Sequence, residues 1–85
     1  MFDVQIDSKA RNFLSKCNEI LFNRILLKIN KLTIKPVPKD AKRIVNKKIL
    51  TFRLRIGDYR VLYCIDFKLK EINVVSIDHR KNIYK

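Results

Sequence analysis

The sequence has 85 residues and is 47% apolar, which is enough for one small domain with a single core over residues 1–85. Lys and Arg number 20 and Asp and Glu number 8, and the resulting net charge of +12 indicates a polyanionic partner such as nucleic acid, the ribosome, an acidic protein or an anionic membrane. A single glycine excludes a glycine-rich phosphate-binding loop, and one His with two Cys at no paired spacing argues against a structural zinc site.

The first predicted elements are a strand and a hairpin of two helices. Apolar and polar residues alternate over residues 2–7, which is typical of a half-buried strand. Ser8 is a suitable N-cap for a short first helix, whose apolar positions recur at helical spacing: Ala10, Phe13, Leu14 and Cys17. Asn18 is a suitable cap for a second helix starting at Glu19, with the apolar face Phe22, Ile25, Leu26, Ile29 and Leu32. So short a connection predicts a helical hairpin.

A basic connection and three strands are predicted for the rest of the chain. Pro36 and Pro38 end the helical region and lie in a segment rich in Lys and Arg, KPVPKDAKRIVNKK. Residues 51–56 alternate, Gly57-Asp58 makes a tight turn, residues 59–66 are apolar on both faces, and residues 71–77 form a last strand. The predicted fold is α+β in the order β-α-α-β-β-β. An N-terminal strand and a helical hairpin precede a three-stranded antiparallel meander, and the helices pack on one face of the sheet.

The two cysteines and the apolar segments bear on where the protein works. Cys17 and Cys64 both have apolar neighbours, which predicts two buried, reduced thiols in a cytoplasmic protein, with a disulfide as the alternative. The N-terminal MFDVQID has neither a charged region nor an apolar core, so we expect no signal peptide. No apolar run approaches the roughly 18 residues of a membrane span, so we expect no membrane partner.

Alternation along the first strand of the meander predicts a basic face on the sheet. If the apolar residues of this strand point toward the helices, Arg53 and Arg55 project from the uncovered face. The turn returns Arg60 to the same region, and Lys47 and Lys48 lead into it. Such a cluster suits a phosphate backbone, because an Arg side chain binds phosphate through two parallel hydrogen bonds. An ordinary solvated strand face is the alternative, and the net charge favours phosphate binding.

The distribution of carboxylates along the sequence argues against a metal site. The eight carboxylates are scattered and none forms an arrangement that holds Mg²⁺, so we expect no metal and no cofactor. A nuclease built from these residues would be metal-free and would cut RNA, whose 2′-OH is a built-in nucleophile. It would need in-line positioning, cations for the phosphorane charge and a general acid or base.

Two segments of the chain carry a family resemblance. FRLRIGDYRVLY (residues 52–63) and DHRKNIY (residues 78–84), with the AKR segment at residues 41–43, resemble the RelE/ParE toxin superfamily over essentially the whole chain. The resemblance to RelE-type members implies an mRNA interferase, an endoribonuclease that cleaves messenger RNA in the ribosomal A site and inhibits translation. It implies metal-free attack by the 2′-OH with a cyclic phosphate product.

The resemblance also implies roles for individual residues. Arg60 matches the arginine at the scissile phosphate, Arg80 a second arginine that stabilises the transition state, and Tyr84 an aromatic residue that stacks on a base or assists proton transfer. Arg53 falls where many relatives have Lys or Arg on this strand, and it is the fourth residue that the resemblance assigns to catalysis. Thr51 stands where the bacterial pattern has a lysine, which leaves the general base unassigned.

A second group of residues is expected to bind RNA. It comprises Arg43, Lys47, Lys48, Arg55, His79 and Lys81. His79 is also a candidate base, as in some relatives, or a structural neighbour of Arg80. Tyr59 and Tyr63 are expected in the core.

The implied partners are an acidic RelB-like antitoxin, the ribosome and mRNA, with a heterotetramer as one assembly that the resemblance allows. Two other functions stay open. One is a ParE-like gyrase inhibitor without nuclease activity, and the other is a catalytically inactive member that binds RNA or antitoxin.

Overall fold

The computed structural model describes residues 1–45 and 47–83, and for Ile83 the backbone alone. The elements in chain order are β1 (Asp3–Ile6), α1 (Ser8–Lys16), α2 (Glu19–Lys31), β2 (Ala41–Ile44), β3 (Thr51–Ile56), β4 (Tyr59–Asp66), β5 (Glu71–His79) and α3 (Arg80–Ile83). The predicted α+β order and the predicted meander β3–β4–β5 are confirmed. The structure adds β2 inside the basic connection and a short α3 after the last strand.

One mixed sheet of five strands carries the fold, in the order β1-β5-β4-β3-β2. The meander and β2 pair antiparallel, whereas β1 pairs parallel with β5, Val4 lying opposite Ile72. Parallel neighbours need a long crossover connection, and residues 7–70 between β1 and β5 supply it.

The starts of the two helices differ in how they are capped. The Asn18 side chain accepts a hydrogen bond from Leu21 N at 2.9 Å, so the predicted cap of α2 is confirmed. The predicted Ser8 cap of α1 is wrong: Ser8 is the first helical residue, and Asp7 is the capping position without a side-chain hydrogen bond.

The core lies between the helices and one face of the sheet. Its fully buried members include Ile25 and Ile29 of α2, Leu54 of β3 and Val61 of β4. Tyr63, 0% exposed, donates a hydrogen bond from its hydroxyl to the carbonyl of Pro36 at 2.7 Å. Burial raises the pKa of Tyr63 well above its ordinary value, so its hydroxyl is a structural donor, as its predicted core position implies.

Both cysteines are free thiols, and each is half-buried rather than fully buried as predicted. Cys64 lies 3.5 Å from the Thr51 hydroxyl, which donates to the carbonyl of Ile49 at 2.8 Å. In the part of the chain that the structure describes, no helix has the length and apolar character to cross a bilayer.

Candidate nucleic-acid interface

Strand pairing places three arginines on the face of the sheet away from the helices. In the β3–β4 hairpin Arg55 lies opposite Arg60, and Arg53 lies opposite Lys42 of β2. Side chains alternate along a strand, so these four share one face while Leu54 and its apolar neighbours face the core. The sequence prediction that Arg53, Arg55 and Arg60 converge is therefore confirmed by the register.

An open groove of about 290 Å³ lies over this cluster. We call it the basic groove, and its lining residues are Lys39, Asp40, Lys42, Arg53, Arg55 and Arg60. The one carboxylate among them, Asp40, is ion-paired with Lys28 of α2. The hydrogen bond from Lys28 holds the pKa of Asp40 below its ordinary value, so this carboxylate is ionised at neutral pH. The other five described residues that line the groove are basic.

Arg60 is the most buried of these cations. Only 8% of it is exposed, and one terminal nitrogen, NH1, donates to the carbonyls of Gly57 and Tyr59, both at 2.9 Å. Gly57 has φ +58, a left-handed conformation that glycine adopts without strain, and this turn presents the two carbonyls. The guanidinium is thus fixed before any ligand arrives.

Two carboxylates close to Arg60, one by strand register and one by sequence, have other partners. Asp78 lies opposite it on β5, but the Asp78 carboxylate accepts from His79 N at 2.7 Å and from the Asn82 amide at 3.0 Å. The Asn82 hydrogen bond holds the pKa of Asp78 below its ordinary value. Asp58 contacts Arg80 at 4.0 Å. Among the described residues, Arg60 therefore has no ion-pair partner, and its Nε and second terminal nitrogen form no hydrogen bond.

Fixed guanidinium groups in a half-enclosed groove have a definite chemical use. They donate to phosphate oxygens and stabilise negative charge that grows on them, without reorganising during the reaction. They do not lose protons near neutral pH, so they serve poorly as general bases. Guanidinium groups arranged in this way can hold and polarise a phosphate group.

Other predicted site residues lie outside the basic groove. Arg80 begins α3 at the same end of the sheet, and its backbone N–H donates to the Asp58 carbonyl at 2.8 Å. The Arg80 side chain is more than half exposed, and Lys81 beside it is also exposed. Lys47 and Lys48 are exposed in the connection from β2 to β3.

Two predicted RNA-binding residues lie on the helix side of the sheet. Arg43 is exposed on the edge strand β2, opposite Phe52 in register. His79 packs edge-on against Tyr59, with ring centroids 5.4 Å apart, and its Nδ1 accepts from Lys81 N at 3.2 Å. This favours the structural role for His79 over a place beside the arginines. Tyr84 lies outside the described residues, so its predicted role stays a prediction.

Three residues of the basic groove were not among the predicted site residues: Lys39, Asp40 and Lys42. Lys42 reaches the arginine face because β2 pairs with β3 and places it opposite Arg53. The sequence AKRI has two adjacent polar residues, so its pattern alone does not show which of them faces the groove. Thr51 is 8% exposed and its hydroxyl is occupied by a backbone carbonyl, so it offers no base at the position where the family pattern has a lysine. Within the described ranges, no three His, Cys, Asp or Glu side chains come together as metal ligands would.

This chain resembles known proteins in its three-dimensional fold. A scan against protein-family models finds no match, and a search of curated protein sequences finds none either. Solved structures do match. A chain of the archaeal RelE–RelB complex from Pyrococcus horikoshii OT3 superposes with a TM-score of 0.85 and 26% identity, over 95% of this chain and 97% of that chain.

Two further solved structures share the fold. A chain of the RelBE2 toxin–antitoxin complex from Mycobacterium tuberculosis gives a TM-score of 0.77 and 26% identity, over 93% of this chain and 98% of that chain. The isolated RelE toxin from E. coli gives a TM-score of 0.79 and 15% identity, over 99% of this chain and 92% of that chain. Each alignment covers nearly the whole of both chains, so the likeness is one of complete domains.

Proposed function

Because this chain belongs to the RelE toxin superfamily, we propose that it is the toxin of a toxin–antitoxin pair and that it cuts messenger RNA. The assignment as a toxin of such a system is supported by the match to RelE and RelB complexes over nearly the whole chain. The proposed endoribonuclease activity in the ribosomal A site rests on the chemistry of the basic groove.

The observation that carries the nuclease proposal is Arg60. A cation that is 8% exposed, fixed by two backbone carbonyls and lacking a carboxylate partner among the described residues is costly to bury unless an anion joins it. Arg53 and Arg55 on the same face add charge for a phosphate and its neighbours along a strand. The groove thus suits a scissile phosphate with flanking phosphates.

The proposed reaction uses the RNA's own nucleophile. The 2′-OH of one nucleotide attacks the adjacent phosphorus and loses its proton to a base, and the P–O5′ bond breaks as the leaving oxygen takes up a proton. The products are a 2′,3′-cyclic phosphate and a 5′-OH. Arg60 stabilises the phosphorane charge, Arg80 assists from the start of α3, and Tyr84 stacks on a base or transfers a proton. These steps assign no role to a divalent metal.

Product chemistry tests this proposal, because ribosomes need Mg²⁺ themselves and chelation is uninformative. Purified ribosomes carrying a defined mRNA should yield fragments with a 2′,3′-cyclic or 3′-phosphate and a 5′-OH. A 2′-deoxy substitution at the cleaved nucleotide should block the cut, and cleavage of that deoxy substrate would refute the mechanism. Failure to cut any RNA, with inhibition of gyrase in a supercoiling assay, would favour the gyrase-inhibitor alternative.

The remaining parts of the proposal concern partners and place of action. We expect an acidic RelB-like antitoxin to bind the toxin in its resting state, since a +12 surface speeds the capture of an acidic chain. A toxin that acts on ribosomes and mRNA would work in the cytoplasm. Adding the antitoxin should raise the melting temperature by mass action, and the mass of the complex would test the heterotetramer.

A further inference from the structure

A cavity of about 480 Å³ lies between α1, the start of α2, the first residue of β4 and the end of β5. It forms because β1 pairs with β5 only as far as Val74, so that α1 lies beside the remainder of β5. Its volume is within the roughly 300–1,000 Å³ of small-molecule sites, and no described residue lines both this cavity and the basic groove. We call it the α1 cavity, and its lining residues include Lys9, Asn12, Phe13, Lys16, Tyr59 and Asp78.

One face of α1 supplies the positive charge of this cavity. Lys9, Asn12, Phe13 and Lys16 follow the spacing i, i+3, i+4 and i+7, which places them along one side of the helix. Both lysines are exposed, and neither forms an ion pair with a described carboxylate. The cavity therefore has an ammonium group near each end of α1 for an anionic ligand.

The rest of the wall combines aromatic rings with polar atoms. The half-buried rings of Phe13 and Tyr59 contact each other edge to face, with centroids 5.8 Å apart. Both hydrogen bonds that the Asp78 carboxylate accepts from described residues end on Oδ1, which leaves Oδ2 as an acceptor. The Asn18 side chain accepts from the backbone N–H of Leu21 through its oxygen, so its amide N–H groups remain as donors.

These groups match the parts of a nucleotide. Aromatic side chains stack on bases, and ammonium groups bind phosphate as point charges. A carboxylate accepts a hydrogen bond from the exocyclic amino group of cytosine, whereas uracil presents a carbonyl oxygen at that position, which a carboxylate repels. We propose that the α1 cavity binds a nucleotide whose base carries an amino group. The two rings contact the base, Asp78 Oδ2 accepts from the amino group, and the lysines bind the phosphate.

Such a nucleotide has two sources, a free mononucleotide and one unit of an RNA strand. Asp78, on the wall of the α1 cavity, lies opposite Arg60 of the basic groove in the register of β4 and β5. Residues opposite each other in antiparallel strands have Cα atoms about 4.5–5.5 Å apart, so a strand with a phosphate at Arg60 passes beside this cavity. The RNA source rests on the proposed function, whereas binding of a mononucleotide does not.

Titration of the isotope-labelled full chain with cytidine 5′-monophosphate (CMP), followed by NMR, tests the cavity. Saturable shifts in the millimolar range or below should appear at the backbone amides of the lining residues of α1. Uridine 5′-monophosphate (UMP) has the same size but lacks the amino group, and it should bind about tenfold more weakly. Cytidine lacks the phosphate and should also bind about tenfold more weakly.

Two double variants separate the cavity lysines from the general charge of the protein. Lys9→Ala with Lys16→Ala should weaken CMP by about tenfold and leave cytidine unchanged. Arg11→Ala with Lys35→Ala removes the same charge from two exposed positions that do not line the cavity, and it should bind CMP like the wild type. No saturable shifts with CMP, or equal losses in the two double variants, would overturn the nucleotide site. Equal binding of CMP and UMP would overturn the role of Asp78.

A cytidine trinucleotide with 2′-O-methyl groups, which cannot be cleaved, distinguishes the two sources. If the strand fills both the cavity and the basic groove, the trinucleotide should bind at least about tenfold more tightly than CMP. Arg55→Ala and the double variant of Lys9 and Lys16 should then each weaken it. A trinucleotide that binds no more tightly than CMP and is insensitive to Arg55→Ala identifies the free mononucleotide as the ligand. If the ribosome assay shows no cleavage while CMP binds here, the proposed function fails and the nucleotide site stands.

Discussion

Replacing Arg60 by Ala should remove most of the cleavage activity. Loss of one preorganised donor to a developing anion costs about 10²–10³ in rate, or about 2.7–4 kcal/mol of transition-state stabilisation. The same change also removes two hydrogen bonds from a charged donor to the carbonyls of Gly57 and Tyr59. Hydrogen bonds of this kind contribute about 1.5–3 kcal/mol each, against a total stability of about 0.05–0.15 kcal/mol per residue in a chain of 85 residues. The variant should be destabilised, so its folding must be measured beside its activity.

Single-turnover cleavage on programmed ribosomes, with thermal unfolding in parallel, separates the two effects. Arg60→Lys keeps the charge but lacks the planar fork, so it should recover part of the rate. Arg11→Ala removes an equal charge from an exposed position on α1 and should cleave like the wild type. If folded Arg60→Ala cleaves as fast as Arg11→Ala, the assignment of Arg60 to the scissile phosphate is wrong.

The other predictions concern a second cation, a stacking residue, a core hydroxyl and pH. Arg80→Ala should lower the single-turnover cleavage rate far more than ribosome affinity, and a drop in affinity alone would contradict its catalytic role. Tyr84→Phe should keep near-full cleavage if Tyr84 only stacks, and Tyr84→Ala should then be impaired; an inactive Phe variant would instead identify proton transfer. Tyr63→Phe should lose about 1 kcal/mol, which lowers Tm by about 4–8 °C in calorimetry, and an unchanged Tm would show that the hydrogen bond contributes nothing. Because the pKa of Asp78 is lowered chiefly by Asn82, its contribution to stability is complete above the ordinary value of 3.8 and is lost as the pH falls through the lowered pKa. The stability difference between the wild type and Asp78→Asn should therefore shrink in acid, and a constant difference in urea unfolding through that range would contradict this.

Local patterns in the sequence determined much of the fold and part of the site. Alternation along residues 51–56 separated the core face from the arginine face, because side chains on a strand point to opposite sides in turn. The Gly57-Asp58 turn sufficed to bring Arg60 back opposite Arg55. Helical spacing and the Asn18 cap marked α2 in the same way. Each of these inferences used residues close together in the chain.

Pairings between distant segments were decided only by the tertiary structure. The edge strand β2 exists because residues 41–44 find β3 as a partner, and that pairing carries Lys42 to the arginine face. His79 turned out to lie on the helix side because a bulge opposite Leu62 and Tyr63 leaves Val75 unpaired. One extra residue reverses the face of every later side chain on β5, which moves Asp78 opposite Arg60 and His79 against Tyr59. A bulge of this kind depends on how two strands fit across the core, and the period of a single strand does not contain that information.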